Sequence, residues 1–289
     1  MSASTLRAAG MVTVVVAALL GSAFALGRSL MPDQPHRGAG VAASVHAPRY
    51  GDQPPSTEFP GPPAGDHGEP SPDASPSAAG SGGPADDNEG PYGARISTGS
   101  ARIALTFDDG PDPRWTPQVL ALLKEYGVKA TFCIVGENAE SHPDLVRSIV
   151  ADGHTICNHS WNHDLTLGKR SQDAIRDDLV RTNDAIRAAA PDVRIAYFRQ
   201  PGGEWTYPVV STCEELGMTP LHWAVDPTDW QAPGAAKIEA AVLAQTGPGS
   251  IVLMHDAGGD RSGTVEALQR LLPELLDRFQ LEALPTGTT

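Results

Sequence analysis

From residue 98 onward, short apolar runs alternate with amphipathic stretches, and this alternation limits the chain to few folds. Arg102 to Phe107 reads as a buried strand that ends in Asp108-Asp109-Gly110. Further strands are expected over 129–135, 155–157, 194–198, 220–225 and 250–254, with a short last one over 281–284. Helical spacing falls between them, over 116–126, 145–150, 171–190, 207–216, 235–246 and 265–279. Gly127 and Gly153 supply stops, and Pro273 should break or restart the last helix. Ser171 can cap the longest helix, which carries Ile175, Leu179 and Ile186 along one face. Repeated strand–helix units give a parallel sheet covered by helices, open or closed into a barrel. About 190 residues is short for eight full units, which take roughly 250.

The first third has a different texture. Residues 8–27 carry no charge and lie between Arg7 and Arg28. Their length suits a membrane anchor, and the small-residue site Ala23-Phe24-Ala25 suits a cleaved secretory signal. Residues 1–27 are therefore expected to send the rest of the chain to the cell envelope or the exterior. Residues 28–97 read as a disordered linker, because nine of the forty positions from Gly51 to Gly90 are Pro and eight are Gly. Such a segment cannot bury enough apolar surface to offset its conformational entropy. The net charge of −14 excludes a binding mode built on phosphate neutralisation, so no nucleic-acid partner is expected. A monomer is assumed. Cys133, Cys157 and Cys213 are too few for a disulfide scaffold and read as small buried apolar residues. Pairing of Cys133 with Cys157 on adjacent strands is the alternative.

Polar groups stand directly after the expected strands: Asp108-Asp109, His159 with His163, Arg199, Asp226 with Asp229, and His255. In parallel α/β folds the carboxyl ends of all strands open on one face, where active sites are built. His159 and His163 are four apart, so on a helical turn they share one side and can hold a metal. Asp109 completes a two-histidine, one-carboxylate set that leaves positions open for water and substrate. Zn²⁺ is the default for such donors, with Co²⁺, Ni²⁺ or Fe²⁺ as alternatives. Asp108 and Asp109 diverge along the backbone, so one can ligate while the other faces the reacting water. His154 and His222 read as packing histidines.

In this order the motifs resemble those of polysaccharide deacetylases of the NodB-homology type, carbohydrate esterase family 4. Five match: Thr106-Phe107-Asp108-Asp109-Gly110, His159-Ser160-Trp161-Asn162-His163, Arg199-Gln200-Pro201-Gly202-Gly203, Asp226-Pro227-Thr228-Asp229-Trp230 and Leu253-Met254-His255. The resemblance spans residues 98–285 and implies a distorted (β/α) barrel with fewer than eight units. It implies removal of acetyl groups from a polysaccharide, with peptidoglycan amino sugars, chitin oligomers and acetylxylan as substrates in that order. By the same resemblance, Asp109, His159 and His163 hold the metal, Asp108 is the general base and His255 the general acid. Arg199 orients Asp108, and Asp229 orients His255. Pro201 precedes the N–H of Gly202 that meets the oxyanion, and Trp230 and Leu253 line the acetyl pocket. The third motif often has an aromatic where this chain has Gly202. That departure implies a more open sugar subsite, or one closed by Trp161, Trp205 or Tyr207. A catalytically inactive glycan-binding protein on the same fold is the competing expectation.

Overall fold

The structure, a computed structural model, describes residues 89–287, so the expected targeting segment and most of the linker lie outside the described residues. Six parallel strands form one sheet: β1 (Ala104–Asp108), β2 (Thr131–Ile134), β3 (Thr155–Asn158), β4 (Ile195–Phe198), β5 (Thr219–Pro220) and β6 (Ile251–His255). Their order is β5-β4-β3-β2-β1-β6, which places the first strand inside the sheet. Helices α1 (Thr116–Glu125), α2 (Gly136–Ser141), α3 (Pro143–Ala151), α4 (Gln172–Ala189), α5 (Tyr207–Glu215) and α6 (Ala235–Gln245) connect the strands, and α7 (Ser262–Arg278) follows β6.

Side chains alternate across each strand, and here both faces are buried. Leu105, Phe107, Phe132, Ile134, Ile156, Val252 and Met254 point outward into a large core shared with the helices. Ala104, Cys133, Cys157, Tyr197 and Ile251 meet in a small cluster on the inner side. The sheet curls around that cluster. The expected strand over 220–225 shrinks to β5, and the chain then leaves regular pairing. Leu221 bridges to Arg95 and Val225 to Val252, so this stretch links the two edges of the sheet. The expected distorted barrel with fewer than eight units is thus the observed fold.

Several expectations need correction. Ordered structure begins before residue 98: Ala94 is buried and the Arg95 N–H donates to the Pro220 carbonyl at 2.8 Å. The last apolar run makes a single bridge, Leu281 to Ile103, and no strand. It plugs the amino end of the barrel instead. The Leu284 carbonyl accepts from Thr155 Oγ1 at 2.7 Å, and the Leu284 N–H donates to Thr131 Oγ1 at 3.1 Å. Helix α7 runs through Pro273 without interruption. Leu271, Leu272 and Leu275 are fully buried around it, and that packing outweighs the propensity penalty. Helix α2 escaped notice because six residues are too few to show a period.

Cys133 and Cys157 stand opposite each other in β2 and β3 and form a disulfide, where two buried thiols were expected. Direct pairing in adjacent strands supplies the proximity that sequence spacing cannot. Cys213 stays a free buried thiol, and burial pushes its pKa up. His154 packs edge-on to Phe132 and accepts the Ala130 N–H at 3.1 Å. Burial lowers its pKa to about 4, as it does for His222. Among the described residues no helix is long and apolar enough to cross a membrane.

Candidate active site

The alternation that builds the core also builds the site. Ala104, Thr106 and Asp108 occupy successive inward positions of β1, so Asp108 tops the inner column. Its register partners are Cys133 on β2 and His255 on β6. Asp109 follows in the left-handed region, with φ of 74°, which swings its carboxylate away from that of Asp108. Asn138 Nδ2 fixes this turn by donating to the Asp109 carbonyl at 2.7 Å.

His159 comes directly after β3. Its Nδ1 lies 2.8 Å from the Arg199 carbonyl oxygen, which can only accept. A hydrogen therefore sits on Nδ1, and Nε2 faces the two aspartates. Nε2 is 3.5 Å from Asp109 Oδ1 and 3.6 Å from Asp108 Oδ2. His163 does not share a helical turn with His159, as its spacing suggested. Ser160 and His163 both have positive φ, and the segment is a tight loop. Asn158 Oδ1 accepts the Ser160 N–H and Asp178 Oδ1 accepts the Trp161 N–H. This loop returns His163 Nε2 to within 3.3 Å of Asp109 Oδ1.

One donor atom from each of Asp109, His159 and His163 lies within 4.8 Å of the others. Asp109 Oδ1 is buried and has no hydrogen-bond partner. A buried carboxylate oxygen without a partner, beside two imidazole nitrogens, suits a cation, and two nitrogens plus one oxygen suit a divalent ion. The residues therefore fit a metal. Burial opposes charge on Asp109, yet the surrounding His159, His255 and His163 hold its carboxyl well below the usual range. Burial, then the neighbouring His159, lowers the pKa of His163 and favours the neutral form that ligates.

Arg199 is fully buried after β4. Its Nη1 donates to Asp108 Oδ1 at 2.6 Å and to Thr106 Oγ1 at 2.8 Å, and its Nη2 to the His222 carbonyl at 3.1 Å. One residue thus anchors Asp108 by its side chain and His159 by its backbone. At the far side His255 ends β6. Its Nδ1 is 2.7 Å from Asp229 Oδ1, and its backbone N–H donates to Asp229 Oδ2 at 2.9 Å. Thr264 Oγ1 also donates to Asp229 Oδ2, and Arg261 Nη1 donates to the Asp229 carbonyl. Burial works against a charged His255, but the hydrogen bond and charge of Asp229 prevail and raise its pKa to about 9.

Leu253, two residues before His255, is buried on the inner side of β6. Pro201 is buried and opens a short turn through Gly203. Gly202 has φ of 62°, and a Cβ there would lie 2.8 Å from Leu165 Cδ2. Trp230, beside Asp229, is half exposed. Asp226 stays apart and caps a turn through the Thr228 N–H. Trp161 and Trp205 are buried, whereas Tyr207 is exposed. The sequence reading passed over Asn138, Thr106, Arg261 and Thr264. Only Thr106, two before Asp108, carried a signal in its strand spacing. It also passed over Asp256, whose Oδ2 accepts from Thr116 Oγ1 at 2.6 Å and whose complete burial raises its pKa to about 7.

Comparison with known proteins identifies the family. Residues 95–221 match the family model described as polysaccharide deacetylase. A chitooligosaccharide deacetylase of Sinorhizobium fredii is 43% identical over 66% of this chain and 94% of its own. A solved peptidoglycan N-acetylglucosamine deacetylase is 36% identical with a TM-score of 0.63, covering 66% of this chain and 90% of that one. A pseudoenzyme of carbohydrate esterase family 4 from Bacillus anthracis is 28% identical with a TM-score of 0.61, covering 66% of each chain. With the barrel, the ordered motifs and these relatives in agreement, the chain belongs to the polysaccharide deacetylase family, carbohydrate esterase family 4.

Proposed function

We propose that this protein is a metal-dependent hydrolase that removes acetyl groups from N-acetylglucosamine units of an extracellular glycan. Peptidoglycan and chitin oligomers are the preferred substrates, following the relatives named above. The observation that carries the reading is the orphaned Asp109 Oδ1 facing His159 and His163, beside the separate Asp108–Arg199 and Asp229–His255 pairs. Asp109, His159 and His163 would hold the ion, with Zn²⁺ preferred and Co²⁺ as an alternative. When bound, such an ion polarises an acetyl carbonyl and makes water more acidic.

The protein groups divide the proton work. Asp108, held by Arg199 at 2.6 Å, takes the proton of the attacking water. His255, kept cationic by Asp229, gives a proton to the leaving amine. The Gly202 N–H meets the developing oxyanion, and Trp230 and Leu253 bound the acetyl methyl. An extracellular or envelope address is supported by the apolar segment 8–27 and by the Cys133–Cys157 disulfide.

The test is acetate release from chitooligosaccharides, peptidoglycan and acetylxylan, after chelation and again after adding Zn²⁺ or Co²⁺. Release restored by metal is expected, with the amide substrates ahead. Asp108→Asn should abolish turnover, by at least about a hundredfold for loss of a general base, while metal stays bound. His159→Ala should lose both metal and activity. An active, metal-free His159→Ala would sink the site assignment. A glycan-binding protein without turnover predicts no acetate from any substrate.

A further inference from the structure

Exposed apolar side chains are not spread evenly over this molecule. Among the described residues five large ones are exposed: Tyr92, Leu165, Tyr207, Trp230 and Leu276. Only Leu276 sits on an outer helix away from the strand ends. Trp230 follows Asp229, and Leu165 follows His163 on the same loop. Tyr207 opens α5, the helix that leaves the carboxyl end of β4. Clustered exposed apolar groups mark binding surfaces, whereas scattered ones need no explanation.

Tyr92 and Tyr207 form a pair. Their ring centroids are 4.8 Å apart at an interplanar angle of 84°. Tyr207 is 75% exposed and Tyr92 47%, so the contact does not bury them as a core contact would. Tyr92 is also strained, with φ of 56°, a region that bulky L residues rarely adopt. Gly90 and Ala94 hold the strained turn: the Gly90 N–H donates to the Ala94 carbonyl at 2.7 Å. Strain at an exposed aromatic has no packing benefit to offset it, and strain of this kind gathers at functional positions.

The pair is tied to the candidate active site. The Arg95 N–H donates to the Pro220 carbonyl, and the His222 N–H donates to the Arg95 carbonyl, each at 2.8 Å. The next carbonyl contact is that of His222 with Arg199, whose other nitrogen holds Asp108. Tyr207 is reached from Arg199 through the short loop that contains Gly202. Tyr92 lies outside the stretch matched by the family model, which starts at residue 95.

We infer that the exposed Tyr92–Tyr207 pair is a distal glycan subsite, which stacks on a sugar ring of the substrate chain beyond the unit being deacetylated. The inference rests on the glycan-deacetylase reading above. Sugars present flat C–H faces, and an exposed aromatic with a free face and a polar tip suits them. Leu165 packs over Gly202, with its Cδ2 2.8 Å from where a Cβ at 202 would lie, on the loop that leads from Arg199 to Tyr207. The occupant is a longer stretch of the same polymer, because the segment of Tyr92 and the loop of Tyr207 both connect to Arg199, which holds Asp108.

Chitooligosaccharides of two to six units, with the full chain, test this. For the wild type kcat/KM should rise with length. Tyr92→Ser and Tyr207→Ser should raise KM for the six-unit substrate about two- to tenfold, the range expected for one aromatic contact. They should leave kcat and the two-unit values unchanged, and Tyr207→Phe should behave as wild type. A length profile identical in wild type and Ser variants, or no length dependence at all in the wild type, overturns the subsite. Calorimetry of the six-unit oligomer with chelated protein reads binding without turnover. If the wild type releases no acetate, the deacetylase reading fails and calorimetry alone decides the subsite. Weaker binding by the Ser variants then supports it, and equal or absent binding overturns it.

Discussion

Asp229 accepts three hydrogen bonds on its carboxylate, from the His255 ring, the His255 backbone and Thr264, so it cannot turn away from the histidine. This is why it can raise the pKa of His255 to about 9 against burial. Asp229→Asn keeps the shape and removes the charge. The alkaline limb of the kcat profile should then move down toward the ordinary histidine range, and kcat at pH 8 should fall about tenfold or more. An unmoved limb would show that another group sets it. The same pair links stability to pH. Because the folded pKa is raised, the stabilisation is complete below about 6.5 and fades as pH rises through about 9. His154 has the opposite sign. Its folded pKa is lowered to about 4, and its Nδ1 must stay unprotonated to accept the Ala130 N–H. The unfolded chain then binds a proton that the folded one refuses, so stability declines as pH falls from about 6.5 toward about 4. His154→Gln removes that titration, and its Tm should change less between pH 7 and pH 4.5 than that of the wild type.

At the scale of elements, local chemistry was legible where one segment decides its own conformation. Ser171 caps α4 by accepting the Ala174 N–H at 3.3 Å, and Ile175, Leu179 and Ile186 face the core. Ser171→Ala should destabilise by about 1 kcal/mol in denaturant titration without changing activity. A larger loss would mean that the cap also shapes the His159–His163 loop. That loop was misjudged as a helical turn. Its path depends on Asn158, which closes a local turn on the Ser160 N–H, and on Asp178 of α4, whose contribution nothing in the loop announces. The apolar run 220–225 failed as a strand for a similar reason. It bridges Arg95 on one side and Val252 on the other, and the competing contacts leave only Pro220 of the run in regular pairing.

At the scale of the molecule, the inner column of each strand carries structure below and chemistry above. Cys157 lies two residues before His159 on β3, and Leu253 two before His255 on β6. The disulfide to Cys133 therefore sits in the layer beneath the ligand set. The amino end of the barrel is closed by residues that follow the last helix. Leu284 is fully buried there, and Tyr197 OH donates to the Pro285 carbonyl at 2.6 Å. Leu284→Ala should cost about 3 kcal/mol, in the range for a buried leucine truncation. Urea denaturation measures this, and a loss under about 1 kcal/mol would show that the tail is an accessory to the barrel. Because the plug is at the opposite end from the candidate site, KM should stay constant while stability falls.

The sequence by itself determined the strand–helix alternation and the position of Asp108, Asp109, His159, Arg199 and His255 at strand ends. Those properties follow from short-range periodicity and from the direction shared by parallel strands. Tertiary structure alone decided which groups meet. The Cys133–Cys157 bond needs the register of β2 on β3, and the His163 approach to Asp109 needs a loop folded by a distant helix. The supports from Asn138, Arg261 and Thr264, and the Tyr92–Tyr207 pair, join segments far apart in the chain. Contacts across such separations depend on the whole packed barrel, and no local pattern encodes them.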